Sequence, residues 1–335
     1  MPASRRRPDR RADAERTAGP GRLDPRVYRR RRLAAAATLA AVSLAAGVAV
    51  SAGDERGGDE KRAPGEARGE AKRAAELPGG GRRLFPDRRV VALYGHPRDP
   101  ELGALGIGSP PQAARRLRAR ARAYDRKSRP VLPAMELIAV LATAAPGADG
   151  LHRDRTPAET IDRYLRAARR SGALLILDIQ PGRAPFGPEI ERLERWLREP
   201  DVGLALDPEW HVEDGQVPGR VIGSVDADAV NAAAAWLSRI VRERDLPEKL
   251  LLVHRFTDAM IRRDERLREF PGVRTVVNID GFGDRAVKVA KYDALVARTP
   301  RLPRGIKLFL KEDTGLMTPA QTLALRPPPD VVIYE

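Results

Sequence analysis

The chain has 335 residues, no cysteine and a formal net charge of +15. That length holds two average domains or one large barrel, and the lack of cysteine excludes disulfides, thiolate nucleophiles, Cys-ligated zinc and lipid attached through cysteine. The charge does not mark a nucleic-acid binder: residues 1–32 carry 12 arginines against 4 acids, whereas residues 86–335 carry 41 basic against 35 acidic groups, with no stacking aromatics interleaved.

The first predicted elements form a membrane address. Four arginines, residues 29–32, stand directly before an uncharged apolar run over 33–52, "LAAAATLAAVSLAAGVAVSA". Twenty helical residues span about 30 Å, the thickness of a bilayer core. The positive-inside rule then puts everything after residue 53 outside the cell. The reading is a basic cytoplasmic tail (1–32) followed by a single-pass transmembrane signal anchor (33–52). "VSA", ending at Ala52, also suits signal-peptide cleavage, which would make the protein secreted. Residues 53–85 alternate charge signs around Gly and Pro and hold almost nothing apolar, the composition of a disordered linker.

From residue 86 onward, strand-length apolar runs alternate with helix-period segments, the pattern of a parallel α/β sheet. Strands are predicted at 89–95, 131–139, 173–180, 202–208, 249–256, 274–281, 306–312 and 330–335. Helices lie between them: in "PAETIDRYLRAARRSG" Pro157 suits a first turn and Gly172 a C-terminal cap, and "DADAVNAAAAWLSRIVRER" has an Asp near its start. Links from helix to strand are terse and links from strand to helix are long, and no strand is followed by GxGxxG. The predicted fold over 86–335 is therefore a (β/α)8 TIM-like barrel. It lacks the last helix, because the eighth strand ends the chain; the vacated place is either open or filled by residues from before 89.

Ionisable residues gather at the predicted strand ends. His96 follows the first strand, Glu136 lies in the second, Asp178 and Gln180 end the third, and Asp207 and Glu209 close the fourth. His254 ends the fifth, Asp280 the sixth and Glu312 the seventh. Barrel strand ends converge on one rim, so these groups are expected around a common mouth. In "GLALDPEW", Asp207 and Glu209 share a strand face with Gly203 and Ala205, which leave room beneath them, while Leu204 and Leu206 face the helices. Trp210 follows on the loop, either as core or as a platform for a sugar ring.

Paired carboxylates around a cleft are the equipment of glycoside hydrolysis. The fourth-strand segment resembles chitinase-like glycosidases, in which acids spaced D-x-D-x-E follow a small residue. Gly203, Asp207 and Glu209 match; Ala205 stands where that family has another acid, and Pro208 where an aromatic is common. The resemblance implies Glu209 as proton donor and Asp207 as the neighbour that orients it. A second resemblance, to the glycosidase clan with acids on strands four and seven, nominates Glu209 and Glu312, although Pro208 replaces the Asn that precedes the acid there. A longer one covers nearly all of 89–335: "ELIA", "LDIQPGR", "LALDPEW", "GQVPG", "IGSVDA" and "LLLVHRFTDAMI" resemble uncharacterised membrane-anchored or lipoprotein-like envelope proteins of high-GC Gram-positive bacteria. It implies an extracytoplasmic barrel without an established activity.

The function expected from these features is a glycoside-hydrolase-like barrel acting on a cell-envelope glycan. Glu209 and Asp207 would be catalytic, and Asp178, Gln180, His254, Asp280, His96, Trp210 and Glu312 would bind substrate. The implied partners are a cell-wall polysaccharide and, through the N-terminal helix, the membrane. Two alternatives stay open: a catalytically silent barrel that binds a wall polymer or envelope protein, and a metal-dependent hydrolase. His96, His211 and His254 with Asp178 or Asp280 could supply metal ligands from separate strands, but no HxH or HxxxH pair offers two ligands from one element. No metal or other cofactor is assigned.

Overall fold

The structure is a computed structural model and describes residues 74–335. The predicted tail and apolar span over 1–52 lie outside the described residues. Among those described, no helix is long and apolar enough to cross a membrane.

Eight parallel strands close into a ring: β1 (Arg89–Gly95), β2 (Val131–Ala142), β3 (Leu174–Ile179), β4 (Val202–Leu206), β5 (Lys249–Arg255), β6 (Val273–Ile279), β7 (Arg304–Leu308) and β8 (Val331–Tyr334). Each pairs in parallel with the next, and β8 returns to β1 through Val90 opposite Val331. The protein is an α/β TIM-like barrel, with each strand within a few residues of its predicted position. The helices are α1 (Pro110–Ala121), α2 (Ala158–Arg170), α3 (Phe186–Arg192), α4 (Glu194–Leu197), α5 (Ala227–Arg244), α6 (Arg285–Arg298) and α7 (Pro319–Leu323). Pro157 precedes α2 as its N-cap. Gly172, at φ +65°, ends that helix as expected, with Ala173 N–H donating to the Ala168 carbonyl. The Asp226 carboxylate caps α5 through the Asp228 N–H, 3.0 Å away.

Alternation along the strands splits the core into two layers. Outward residues such as Leu93, Leu137, Leu177, Leu204, Leu206 and Val253 pack under the helices. Inward residues such as Val90, Ala92, Leu132, Ile176, Ala205, Leu252, Val276 and Ile333 fill the barrel, and Gly203, where a Cβ would lie 3.0 Å from the Leu250 carbonyl oxygen, lets β4 and β5 approach closely. The part of the predicted linker described here, 74–85, is packed: Leu77, Leu84 and Phe85 are buried against the inward layer. Leu84 N–H donates to Glu248 at 2.6 Å, and Arg82 bonds Asp245 at 2.7 Å, which fixes the segment beneath β5. Residues 77–85 thus plug the bottom of the barrel. In β8, Tyr334 meets Tyr124, hydroxyl to hydroxyl at 2.7 Å, and Arg120 lies over its ring.

Candidate functional site

The upper inward layer is polar. Tyr94 from β1, Glu136 from β2, Asp178 from β3, His254 from β5, Asn278 from β6 and Lys307 from β7 are all buried there. Asp207, Asp280 and Glu335 join them from just beyond β4, β6 and β8. These positions continue the inward rows below them: Val90, Ala92 and Tyr94 on β1, Leu250, Leu252 and His254 on β5. Below the polar groups that lie within the strands the inward residue is small or aliphatic, so the barrel is a packed hydrocarbon plug capped by a charged layer.

His254 is the hub. Its Nε2 lies 2.8 Å from Glu136 Oε1 and 4.0 Å from Asp178 Oδ1, and its Nδ1 lies 3.0 Å from Asp280 Oδ2. Asp280 also accepts from Lys307 Nζ at 2.9 Å and from Asn278 Nδ2 at 2.6 Å. Asn278 reaches that position because β7 offers Gly305 opposite; a Cβ there would stand 2.1 Å from Asn278 Oδ1. Lys307 contacts Glu335 at 3.3 Å and stands 3.9 Å from the centre of the Tyr94 ring. The Tyr94 hydroxyl donates to Asp178 Oδ2 at 3.1 Å and accepts from Gln180 Nε2 at 2.9 Å. Glu136 Oε2 and Asp178 Oδ1, both fully buried, accept no hydrogen bond.

Burial and neighbouring charge pull these groups in opposite directions. Burial alone would push the His254 imidazole down, and Lys307 adds to that. Asp280 and Glu136 outweigh both and hold it well above the usual histidine range. Burial would likewise raise Asp280, but Lys307 and His254 hold it well below the usual carboxylate range. Burial, with Asp207 beside it, pushes the Asp178 carboxyl far up, and burial also raises Asp207 against the pull of His254 and Lys307. Lys307 is held above the ordinary lysine range, Asp280 and Glu335 outweighing its burial.

Above this layer opens a cavity of about 50 Å3, lined by Tyr94, Glu101, Leu102, Ile138, Gln180, Asp207, Glu209, Trp210, Asp280, Lys307 and Glu335. Of the residues predicted for the site, Asp207, Glu209, Gln180, Trp210 and Asp280 line it, and Asp178 and His254 form the layer directly beneath. Two predicted residues are elsewhere. His96 is buried in the loop after β1, where burial pushes its pKa down to about 4, and does not line the cavity. Glu312 is not among the lining residues either, because β7 stops at Leu308 and the chain turns away; Lys307 is the inward residue of that strand. His211 is held in its own loop, its Nδ1 2.7 Å from the Ser224 carbonyl oxygen. The sequence reading did not assign Tyr94, Lys307, Asn278 or Glu335 to the site, and it placed Glu136 at the mouth without giving it a role. Inward parity along the strands was the signal that could have found the first three and Glu136. A larger cavity of about 590 Å3, near Asp264 and Arg298, lies outside the barrel mouth.

No protein-family profile matches the sequence, and no curated protein matches it. Solved structures of similar architecture do exist. One is a 2,3-dimethylmalate lyase of the PEP mutase/isocitrate lyase superfamily, at 12% identity, covering 74% of this chain and 76% of that one, with a TM-score of 0.41. Another is an oxaloacetate acetylhydrolase, at 16% identity over 74% and 75% of the two chains, TM-score 0.40. A third is the cellulose synthase subunit Z of Clostridioides difficile, at 10% identity over 74% and 91%, TM-score 0.38. The likeness is one of barrel architecture. The expectation of glycoside hydrolysis is corrected by the geometry of the site. The charged layer gives the physical reason: its centre is a histidine bridged by carboxylates and a lysine, not two carboxylates facing each other across an open cleft.

Proposed function

We propose that the barrel is a metal-dependent hydrolase whose divalent cation is held by Glu136, Asp178 and His254. The observation that carries this reading is the convergence of ligand atoms. One atom from each of the three residues lies within 4.8 Å of the other two, and Glu136 Oε2 and Asp178 Oδ1 lack any hydrogen-bond donor. A buried carboxylate oxygen without a donor costs about 1–3 kcal/mol or more, and two of them beside one imidazole form a hard, mixed oxygen–nitrogen donor set suited to Mg2+, Mn2+ or Zn2+.

When bound, such a cation acts as a Lewis acid and makes water a better nucleophile. The chain's own residues supply the rest. Asp280 takes the Nδ1 side of His254 and so directs Nε2 toward Glu136 and Asp178, the carboxylate–histidine relay that orients metal-ligating imidazoles. Lys307 and Asn278 fix Asp280 in turn. Tyr94, steadied by Gln180, holds the second oxygen of Asp178. Asp207, whose pKa burial raises above the usual carboxylate range, borders the cavity and is placed to give a proton to a leaving group. Leu102, Ile138 and Trp210 restrict the access of water.

The test is elemental analysis and calorimetric titration of the chelator-treated chain with Mg2+, Mn2+ and Zn2+. Binding that disappears in Asp178→Asn and Glu136→Gln supports the reading, whereas a chain that takes up none of the three ions refutes it.

A further inference from the structure

The flank of the barrel built by α1 carries positive charge that no described acid meets. Residues 107–128 hold seven basic groups against one acid, Asp125, which accepts from the Val131 N–H at 3.0 Å. Two of the seven have structural work: Arg116 bonds the Ala104 and Ile107 carbonyls, and Arg120 lies over the Tyr334 ring. Arg115, Arg118 and Arg122 are exposed and, at i, i+3 and i+7, share one helix face; Arg126 and Lys127 extend the exposed row into the turn beyond. None of these five makes an ion pair with a described residue, whereas nearby Arg129 is paired with Asp330 at 2.6 Å and Arg169 on α2 with Asp201 at 2.7 Å. The adjoining helix α2 adds Arg163, Arg166 and Arg170, also exposed and without an ion pair to a described residue, beside one exposed acid, Glu159. Like charges at these spacings repel and weaken the helix that carries them, so taken alone the row costs the fold stability.

We infer that this flank lies against a surface of anionic lipid head groups. The inference goes beyond the metal-dependent reading and does not depend on it. Charge complementarity calls for a polyanion, and the composition of the face favours a bilayer over a nucleic acid: the exposed residues between the arginines are Ala119 and Ala123, with no aromatic on which a base could stack. Ile107, at the head of α1, is 44% exposed, an aliphatic side chain suited to the boundary between head groups and acyl chains. The foot of the row lies where the described chain begins. Arg129 Nε donates to the Arg88 carbonyl at 2.9 Å, and the Arg88 side chain in turn bonds the Pro78 and Gly79 carbonyls. The uncharged apolar run over 33–52 is separated from residue 74 only by residues 53–73, a length of chain that spans at most about 70 Å. A bilayer holding that run is within reach of the flank.

The chain has no native cysteine, so Ala119→Cys, exposed between Arg118 and Arg122, takes a single environment-sensitive fluorophore. The full chain so labelled is mixed with vesicles of phosphatidylglycerol and phosphatidylcholine, and separately with vesicles of phosphatidylcholine alone. The apolar run can enter both, so only docking of the flank separates them. The inference predicts a blue shift with the anionic vesicles only, reversed at about 1 M salt, where the Debye length falls to ~3 Å. Arg115→Gln, Arg118→Gln and Arg122→Gln together should weaken docking about a hundredfold, at about a factor of five for each cation near an anionic surface. Arg115→Lys, Arg118→Lys and Arg122→Lys together should keep the shift, which separates lost charge from a disturbed helix. An equal shift with phosphatidylcholine alone, no shift with either vesicle, or an equal shift on adding soluble polyphosphate or duplex DNA would overturn the inference.

Discussion

At the residue scale the site turns on the contrast between Asp178 and Asp280, two buried acids a few ångströms from one histidine. Asp280 has three donors, Lys307, His254 and Asn278, and stays ionised. Asp178 has one donor, Tyr94, and a carboxylate neighbour, so its burial and that neighbour favour the protonated form. Asparagine mimics a protonated acid and cannot replace an ionised one. Asp178→Asn should therefore change stability by less than about 1 kcal/mol while abolishing metal binding, and Asp280→Asn should cost about 3–5 kcal/mol because it strands Lys307 and His254. Urea denaturation of both variants separates the two outcomes. Asp178, His254 and Asp280 were legible in the sequence because they end apolar strands, where an acid or imidazole stands out. Tyr94 and Lys307 were not assigned to the site and Glu136 was given no role there: Glu136 sits midway along a 12-residue strand and Lys307 is followed by more apolar residues. A strand-end rule cannot find such positions, whereas counting inward alternation from Ala134 or Gly305 would.

At the element scale, β5, β6 and β7 act as one frame. Gly305 on β7 admits Asn278 on β6, which positions Asp280 for His254 on β5. Gly305→Ala should force Asn278 aside, costing about 1–3 kcal/mol in stability as an overpacked core position and weakening metal affinity through the displaced Asp280. A calorimetric titration beside a thermal melt reports both effects. The lower end of β5 offers a separate test. Lys249 is buried and donates to the carbonyls of Glu199 and Val202 at 2.7 and 2.8 Å, and burial pushes its pKa down to about 7. The unfolded chain, with a lysine pKa near 10.4, binds this proton more readily than the folded one. This penalty is therefore fully present below about pH 7 and is relieved as pH rises toward that unfolded value, so this group makes stability increase across the window. Lys249→Met should flatten that slope, measured as urea midpoints between neutral and alkaline pH. Periodicity predicted these strands well because their outward faces are continuous hydrocarbon. It overextended β7 to residue 312, since "LFLKE" carries strand-like composition into a turn that Asp313 organises by accepting from Phe309 N–H at 2.9 Å.

At the scale of the whole molecule, a packed barrel interior separates a closed bottom from a charged mouth. Leu77, Leu84 and Phe85 close the bottom, and the linker composition that predicted disorder through residue 85 missed them because three apolar side chains are diluted among glycines and arginines. Barrel closure supplies what local composition cannot show: an open end in need of apolar cover. Phe85→Ala should destabilise the barrel by about 3–5 kcal/mol as a large-to-small core change. A linker role would predict no change in the denaturation midpoint. Closure also explains why residues separated by 118 positions, Glu136 and His254, come within 2.8 Å. The sequence reading expected ionisable groups from scattered strands at one mouth and gave Glu209 and Asp207 the catalytic roles, whereas the function proposed above moves the chemistry to the histidine-centred layer beneath them.

Glu136, Asp178 and His254 are proposed to form a cation site at the floor of the barrel mouth. The most direct test of this is the metal content of the purified chain after equilibration with Mn2+ and removal of free ion. The account predicts about one bound ion per wild-type chain and essentially none in Asp178→Asn, as expected when a ligand is deleted from a three-residue site. Equal metal content in the two proteins, or none in either, would contradict it.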